Sequence, residues 1–284
     1  MATLRDIKRR IKSVKSTQQI TKAMKMVAAA KLKRAQDDII AARPYAQKML
    51  DIMNSLASKV GPDAHPLLYK RDGNKVELII VTSDRGLCGG FNSNIIRAAE
   101  GFISKNSGKD ITLNLVGKKA KDYFKRRNLS IRQERSIGSG RPKYDAVAGI
   151  AKEIVDSYIK EAFDETYLLY SEFKSVLSQK PVVQRLLPVE QTETGEVSSE
   201  YIYEPSEEAI LTELLPKCIE VQLFRALLES QASEHGARMA AMDSATKNAK
   251  EMIGSLTLTY NRVRQAAITK ELMEIVGGAE ALKG

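Results

Sequence analysis

From Leu4 to Leu56 the apolar positions repeat in sevens. One column runs Leu4, Ile11, Gln18, Lys25, Leu32, Ile39, Ala46, Met53, and the other Ile7, Val14, Thr21, Ala28, Ala35, Ala42, Met49, Leu56. Such spacing, sustained over some fifty residues, predicts a coiled-coil helix instead of an ordinary surface helix. Pro44 should kink that helix or open its hydrogen bonding locally. Gln18 and Lys25 stand in core columns, where full burial would be costly. The pairing should therefore loosen there, or a further chain should complete it.

A second helical run starts at Ser206, a good cap followed by Glu207 and Glu208 in the first turn. It continues to about Val276, where Gly277-Gly278 is expected to end it. Ile210, Leu214, Val221, Phe224, Leu228, Met242, Ala245, Ala249, Met252, Leu256, Val263 and Ala266 keep helical spacing, and Pro216, Gly236 and Gly254 are weak points. At ~1.5 Å per residue the two helices would measure roughly 105 and 80 Å, against about 50 Å for a compact globule of the whole chain. The helices are expected to project and to cover each other's stripes as an antiparallel pair. Alanines would thin the seam: Ala28, Ala29, Ala30 and Ala35 on one helix, and Ala237, Ala240, Ala241, Ala245 and Ala249 on the other.

Between them the pattern alternates. Val76–Thr82, Ile111–Val116, Leu129–Gln133, Glu165–Ser171 and Val182–Pro188 read as strands. Phe91–Ile103, Lys118–Arg127 and Tyr144–Ala162 read as helices, and Gln191–Ser199 as a turn-rich connection. Strands alternating with helices imply a parallel, Rossmann-like sheet. The expected fold class is α/β: a long antiparallel coiled coil of N- and C-terminal helices plus a central Rossmann-like α/β domain. Its divisions are 1–58, 59–205 and 206–284.

Charge sharpens this picture. The 284 residues carry a net charge of +10, and residues 1–34 alone hold eleven Lys/Arg against Asp6. An acidic partner is expected for that end. Hydrophobic content of 43% supplies a core, and no apolar run approaches a membrane span. No secretory signal is read at the N-terminus. Cys88 and Cys218 make neither a disulfide framework nor a metal site.

The loop Ser83-Asp84-Arg85-Gly86-Leu87-Cys88-Gly89-Gly90-Phe91-Asn92 follows the first strand, where such folds bind ligands. Its glycines lack the dinucleotide spacing, and Gly117-Lys118-Lys119 lacks the rest of a phosphate loop. Cys88 would need a base to act as a nucleophile, and the histidines are only His65 and His235. The structural reading is preferred: Gly86, Gly89 and Gly90 permit a tight turn, while Asp84 and Arg85 tie it to neighbouring backbone. Gly138-Ser139-Gly140-Arg141-Pro142 could nest a phosphate but reads first as a flexible loop. Periodicity, helix length and the candidate sites together point to a noncatalytic rod on a globular base. A basic coiled-coil protein binding nucleic acid or an anionic membrane is the alternative. It is weakened by the absence of aromatic residues among the basic ones and by basic residues that interleave with the seam.

Two stretches are more specific: ITKAMKMVAAAKLKRAQ (Ile20–Gln36) and HGARMAAMDSATKNAKEMIGSLTLTYNRVRQAAITKELMEIVGGAEAL (His235–Leu282). Together with SDRGLCGGFN they resemble, from end to end, the gamma-subunit family of bacterial F-type ATP synthases. The resemblance implies a noncatalytic central rotor shaft at the cytoplasmic face of the cell membrane, peripheral to it, with no cofactor and no direct nucleotide binding. One copy would stand in a hexameric alpha/beta ring, with its foot on the epsilon subunit and the membrane c-ring, and with no nucleic-acid partner. Rotation driven by proton flow would be coupled to ATP synthesis. Lys22, Lys25, Lys31, Lys33 and Arg34 would face an acidic segment of the catalytic subunits. Arg264, Gln265, Thr269 and Glu271 would meet their catch loops. Leu272, Met273, Ile275, Val276 and Leu282 would sit in a hydrophobic sleeve. Cys88 matches a family residue without a catalytic role.

Overall fold

The computed structural model describes residues 3–59, 65–136, 138, 140–176, 178–189 and 206–281. The chain divides into two compact units: residues 28–238, and residues 1–27 with 239–284. Two helices contribute to both, α1 (Leu4–Lys59) and α5 (Glu207–Ala281).

The larger unit is built on a five-stranded sheet. Its strands are β1 (Lys75–Val81), β2 (Asp110–Val116), β3 (Ser130–Arg135), β4 (Glu165–Phe173) and β5 (Gln179–Leu187), in the order β3-β2-β1-β4-β5. The crossover helices are α2 (Phe91–Lys105), α3 (Lys118–Phe124) and α4 (Tyr144–Ile159). β1 pairs in parallel with β2 and β4, so Leu78 stands opposite Leu113 on one side and Tyr167 on the other. A central strand covered on both faces should read as a nearly continuous apolar run, and KVELIIV does.

The alternation along β1 builds two cores. Val76, Leu78 and Ile80 pack with Phe91, Ile95 and Ala99 of α2 and Ala120 and Phe124 of α3. Ile79 and Val81 pack on the other face with Ile154 and Tyr158 of α4, Met53 and Leu56 of α1, and Leu215 and Ile219 of α5. Glu77 breaks the pattern without breaking the sheet. Fully buried, its carboxylate accepts from Asn114 Nδ2 at 3.1 Å and Arg132 at 3.0 Å.

The parallel reading holds for β1 to β4 and fails at β5, which runs antiparallel to β4. Only residues 174–178 separate the two strands, and so short a link makes a hairpin, since a parallel return needs a long crossover. The connection expected over Gln191–Ser199 lies outside the described residues.

The weak points foreseen in the long helices do not interrupt them. Helix α1 runs through Pro44, and α5 runs through Pro216, Gly236 and Gly254. Around Pro216 the buried side chains of Leu211, Leu215 and Ile219 contribute ~1.5–3 kcal/mol each, which outweighs the ~3 kcal/mol cost of an interior proline. Ser206 does cap α5, its Oγ accepting from the Ala209 N–H at 3.2 Å. The stop expected at Gly277-Gly278 is also absent. A glycine ends a helix by adopting a left-handed conformation, and neither residue does.

In the smaller unit α1 and α5 pair antiparallel. Thr246 Oγ1 donates to Thr21 Oγ1 at 2.8 Å, and Lys25 Nζ donates to Asp243 Oδ1 at 2.6 Å, so α5 descends as α1 ascends. The α5 side of the seam is the heptad series Met242, Thr246, Ala249, Ile253, Leu256, Tyr260, Val263, Ala267, all buried or half-buried. Met252 and Ala266, expected in the seam, are exposed. A 3.5-residue step selects their neighbours Ile253 and Ala267 instead. Ala30, expected to thin the seam from α1, is likewise exposed.

Candidate functional site

The α5 seam ends at Ala267, and the register explains why. Thr21 meets Thr246 and Lys25 meets Asp243, so continuing that register places Leu4, the first residue of α1, beside residue 263 or 264. Helix α5 therefore outruns its partner. From Ile268 to Ala279 every side chain is exposed, including Ile268, Leu272, Met273, Ile275 and Val276. Leu272 and Ile275 are 57% and 68% exposed, and with Ile268 and Val276 they keep a single helical stripe. Arg264, Gln265, Thr269 and Glu271 stand exposed on the same stretch, with the Thr269 hydroxyl donating to the Gln265 carbonyl at 3.0 Å. Leu282 lies outside the described residues.

The five basic residues of α1 are not equivalent. Lys22 and Arg34 are exposed and make no hydrogen bond or ion pair among the described residues. Lys33 is exposed and shares its charge with Asp37 at 2.9 Å. Lys31 is half-buried, and its charge helps hold the His235 imidazole down to about 4, after burial and Arg238. Lys25 points into the seam, where it meets Asp243. That partner supplies a counter-charge for its core position. Sequence reasoning missed Asp243, although a signal existed: it is the only carboxylate between His235 and Lys250.

The β1–α2 loop is a closed turn. Asp84 accepts from the Lys118 N–H at 2.9 Å, the Ser136 hydroxyl at 2.7 Å and the Gly138 N–H at 2.9 Å, fastening β1 to the start of α3 and the segment after β3. Arg85 contributes differently from the expectation: its exposed side chain makes no polar contact among the described residues, and only its carbonyl works, accepting from Ser83 Oγ at 2.5 Å. Of Gly86, Gly89 and Gly90 only Gly89 takes a left-handed conformation, and the non-glycine Leu87 takes one too, with φ of 62°. Cys88 is buried, with Asn92 Nδ2 donating to its Sγ at 3.2 Å. Burial pushes its thiol up, the opposite of what a nucleophile needs.

In this strand order the connections leave β1 and β4 in opposite directions, and a ligand crevice is expected at their carboxyl ends. Here α5 fills it. Ser230, Gln231 and Glu234 close against Thr82, Ser83 and Asp84 around a cavity of about 30 Å³, room for one water. Arg238 locks the helix there, pairing with Glu234 at 2.6 Å and donating to the Gly86 carbonyl at 3.3 Å. In the loop nominated as a phosphate nest, the Gly138 N–H donates to Asp84 and the Gly140 carbonyl accepts from Gln231 Nε2, and Arg141 pairs with Asp38 at 3.1 Å. Among the described residues no group of three His, Cys, Asp or Glu could hold a metal. No helix among them is long and apolar enough to cross a membrane.

An exposed apolar helix end, a basic partner helix and a crevice filled by the chain itself make sense together once known proteins are compared. A family model described as ATP synthase matches residues 3–282. The ATP synthase gamma chains of Trichlorobacter lovleyi and Geobacter metallireducens are 54% and 55% identical over 289 and 288 residues, covering the whole of both chains in each case.

The chain belongs to the ATP synthase gamma family.

As a gamma-family chain it is a subunit of the ATP synthase central stalk. The central stalk of the Tetrahymena thermophila mitochondrial ATP synthase is similar at TM-score 0.61 and 27% identity, over 80% of this chain and 99% of that one. A chain of the Euglena gracilis mitochondrial ATP synthase shares the fold at TM-score 0.75 and 21% identity, over 98% of this chain and 94% of that one. The mixed α/β architecture with long terminal helices is thus a gamma-family architecture.

Proposed function

We propose that this chain is the rotor of a proton-translocating F-type ATP synthase, noncatalytic itself and peripheral at the cytoplasmic face of the membrane. The observation that carries the reading is the end of α5, where Ile268, Leu272, Ile275 and Val276 form an apolar stripe that no described residue covers. A monomer rarely leaves such a stripe uncovered. A hydrophobic sleeve in the alpha/beta ring covers it and lets it turn, because contacts between apolar surfaces are non-directional.

The other surfaces take their places around that bearing. Arg264, Gln265, Thr269 and Glu271 offer the ring's catch loops directional polar contacts. Lys22, Lys33 and Arg34 face its acidic segments, whereas Lys25 is held by Asp243 and keeps the register of the pair. The α/β domain is the foot on the epsilon subunit and the c-ring. With its crevice filled by α5, it binds no nucleotide. One copy of an asymmetric shaft gives each catalytic site a different face. The sites are then held in different states, and turning the shaft exchanges them. Similar chains support this reading, since the Tetrahymena chain belongs to a central stalk with its c-ring and a Euglena chain to a rotor.

The test is the assembly purified from its own host and reconstituted into vesicles, with this chain cut before Ile268. Proton-driven ATP synthesis should fall sharply. Unchanged synthesis in a correctly assembled complex would sink the assignment of the bearing.

A further inference from the structure

A second basic concentration lies away from α1. Residues 85–127 hold ten Lys/Arg against three Asp/Glu, a net +7. Residues 1–34 already account for the whole net charge, so this excess is balanced only by acidic residues elsewhere in the chain.

Folding gathers part of this charge at one place. Between α2 and α3 runs an open groove of about 570 Å³, lined by Asn92, Ile96, Arg97, Lys119, Tyr123 and Arg126 among others. The anions on its wall are already engaged or face a cation. Glu100 accepts from the Tyr123 hydroxyl at 2.6 Å and pairs with Arg127 at 3.0 Å, and Asp122 stands 4.0 Å from Lys119. The side chains of Arg97 and Arg126 are exposed and make no hydrogen bond or ion pair among the described residues, and neither do the side chains of Lys118 and Lys125. The β1–α2 loop borders the same groove, since a Cβ on Gly86 would lie 4.0 Å from Lys119 Cε. That loop presents Leu87, 64% exposed and held in a left-handed conformation.

We propose that the α2–α3 groove docks an acidic protein segment, an Asp/Glu-bearing loop or helix of another subunit, gripped by Arg97 and Arg126. Two uncommitted guanidiniums offer planar forks that match carboxylates. Ile96 and Leu87 supply apolar contact, which a purely electrostatic patch lacks. The concave shape favours a protruding protein segment over a membrane, whose flat surface would meet only the rim. The exposed strain at Leu87 fits a residue held ready for a partner. The inference deepens the rotor reading and rests on it for the assembly in which it is tested.

The experiment treats the intact assembly from its own host with a water-soluble carbodiimide, which joins a lysine amine to a carboxylate in direct contact. Peptide mass spectrometry then reads the joined residues. Lys118, Lys119 or Lys125 should be linked to an Asp or Glu of another subunit. In Arg97→Glu/Arg126→Glu that yield should drop at least about tenfold, the equivalent of 1.4 kcal/mol, while Arg97→Lys/Arg126→Lys retains most of it. Links confined to this chain, such as Lys119 to Asp122, in a complex that native mass spectrometry finds complete would overturn the proposal and leave the rotor reading standing. Protection of the same lysines from acetylation by phosphatidylglycerol vesicles, with no link between subunits, would reassign the groove to lipid and overturn it too. Absence of the chain from any ATP synthase would overturn the rotor reading and this inference with it.

Discussion

Lys25 donates a 2.6 Å hydrogen bond to Asp243 across 218 residues of sequence. One turn away Thr246 donates to Thr21 at 2.8 Å. Two part-buried polar contacts across the seam fix one register, because a helix slipped by one heptad would leave all four groups without these partners.

The pair should therefore behave as a register lock. Asp243→Asn should lower the melting temperature and speed amide exchange in residues 4–27, and Lys25→Asp with Asp243→Lys should recover much of both. Lys25 and then Lys247 hold the Asp243 carboxyl below its ordinary value of 3.8. Its contribution is present above that value and is lost as pH falls through the lower folded one. A double variant no better than its worse single parent would contradict the lock.

Gly117 should be irreplaceable where Gly86 is not. Gly117 has φ of 102°, and a Cβ there would lie 2.2 Å from the Thr82 carbonyl oxygen. Gly117→Ala should destabilise by more than about 1 kcal/mol. At Gly86 the nearest atom to a Cβ is 4.0 Å away, and Gly86→Ala should stay within about 0.5 kcal/mol. Urea unfolding of the two variants side by side checks the contrast.

Stability should fall with acid in a window set by His235. Burial, then Arg238 and Lys31, lower its imidazole from 6.5 to about 4. The unfolded chain takes up a proton below 6.5 that the folded chain refuses until about 4, so stability is full above 6.5 and declines between those values. His235→Gln should flatten that part of the curve in chemical unfolding followed from pH 8 to 4.

The legible part of the fold was its periodicity. All sixteen positions of the two α1 columns are buried or half-buried, because a heptad states directly which face is covered. β1 was legible for the same reason, as a strand covered on both faces. What periodicity cannot state is which residues meet across a long chain separation. Thus the heptad puts Lys25 in a core column without naming Asp243, and apolar spacing points to Met252 and Ala266 where the seam takes Ile253 and Ala267. Strand direction at β5 depended on loop length, and the work of Asp84 depended on three backbone segments meeting at one carboxylate. Lys22, Arg34 and the α5 end are exposed, and for them exposure is all that the isolated chain displays.

The α5 end should be dispensable for folding and needed for coupling. Leu272→Asp with Ile275→Asp alters residues that are more than half exposed, so the melting temperature of the isolated chain should not move. In the reconstituted complex the same pair should depress proton-driven synthesis. Loss of stability in the isolated chain would show instead that the stripe packs within it.

The most direct test of the rotor account is to watch this chain turn. Cys88 and Cys218 are buried, so Ser107→Cys, on the exposed link between α2 and β2, gives one site for a gold nanorod. With the alpha/beta ring fixed to glass, ATP should drive the probe in one direction, at a rate that rises with ATP. A probe that stays still while the same complexes hydrolyse ATP would contradict the account.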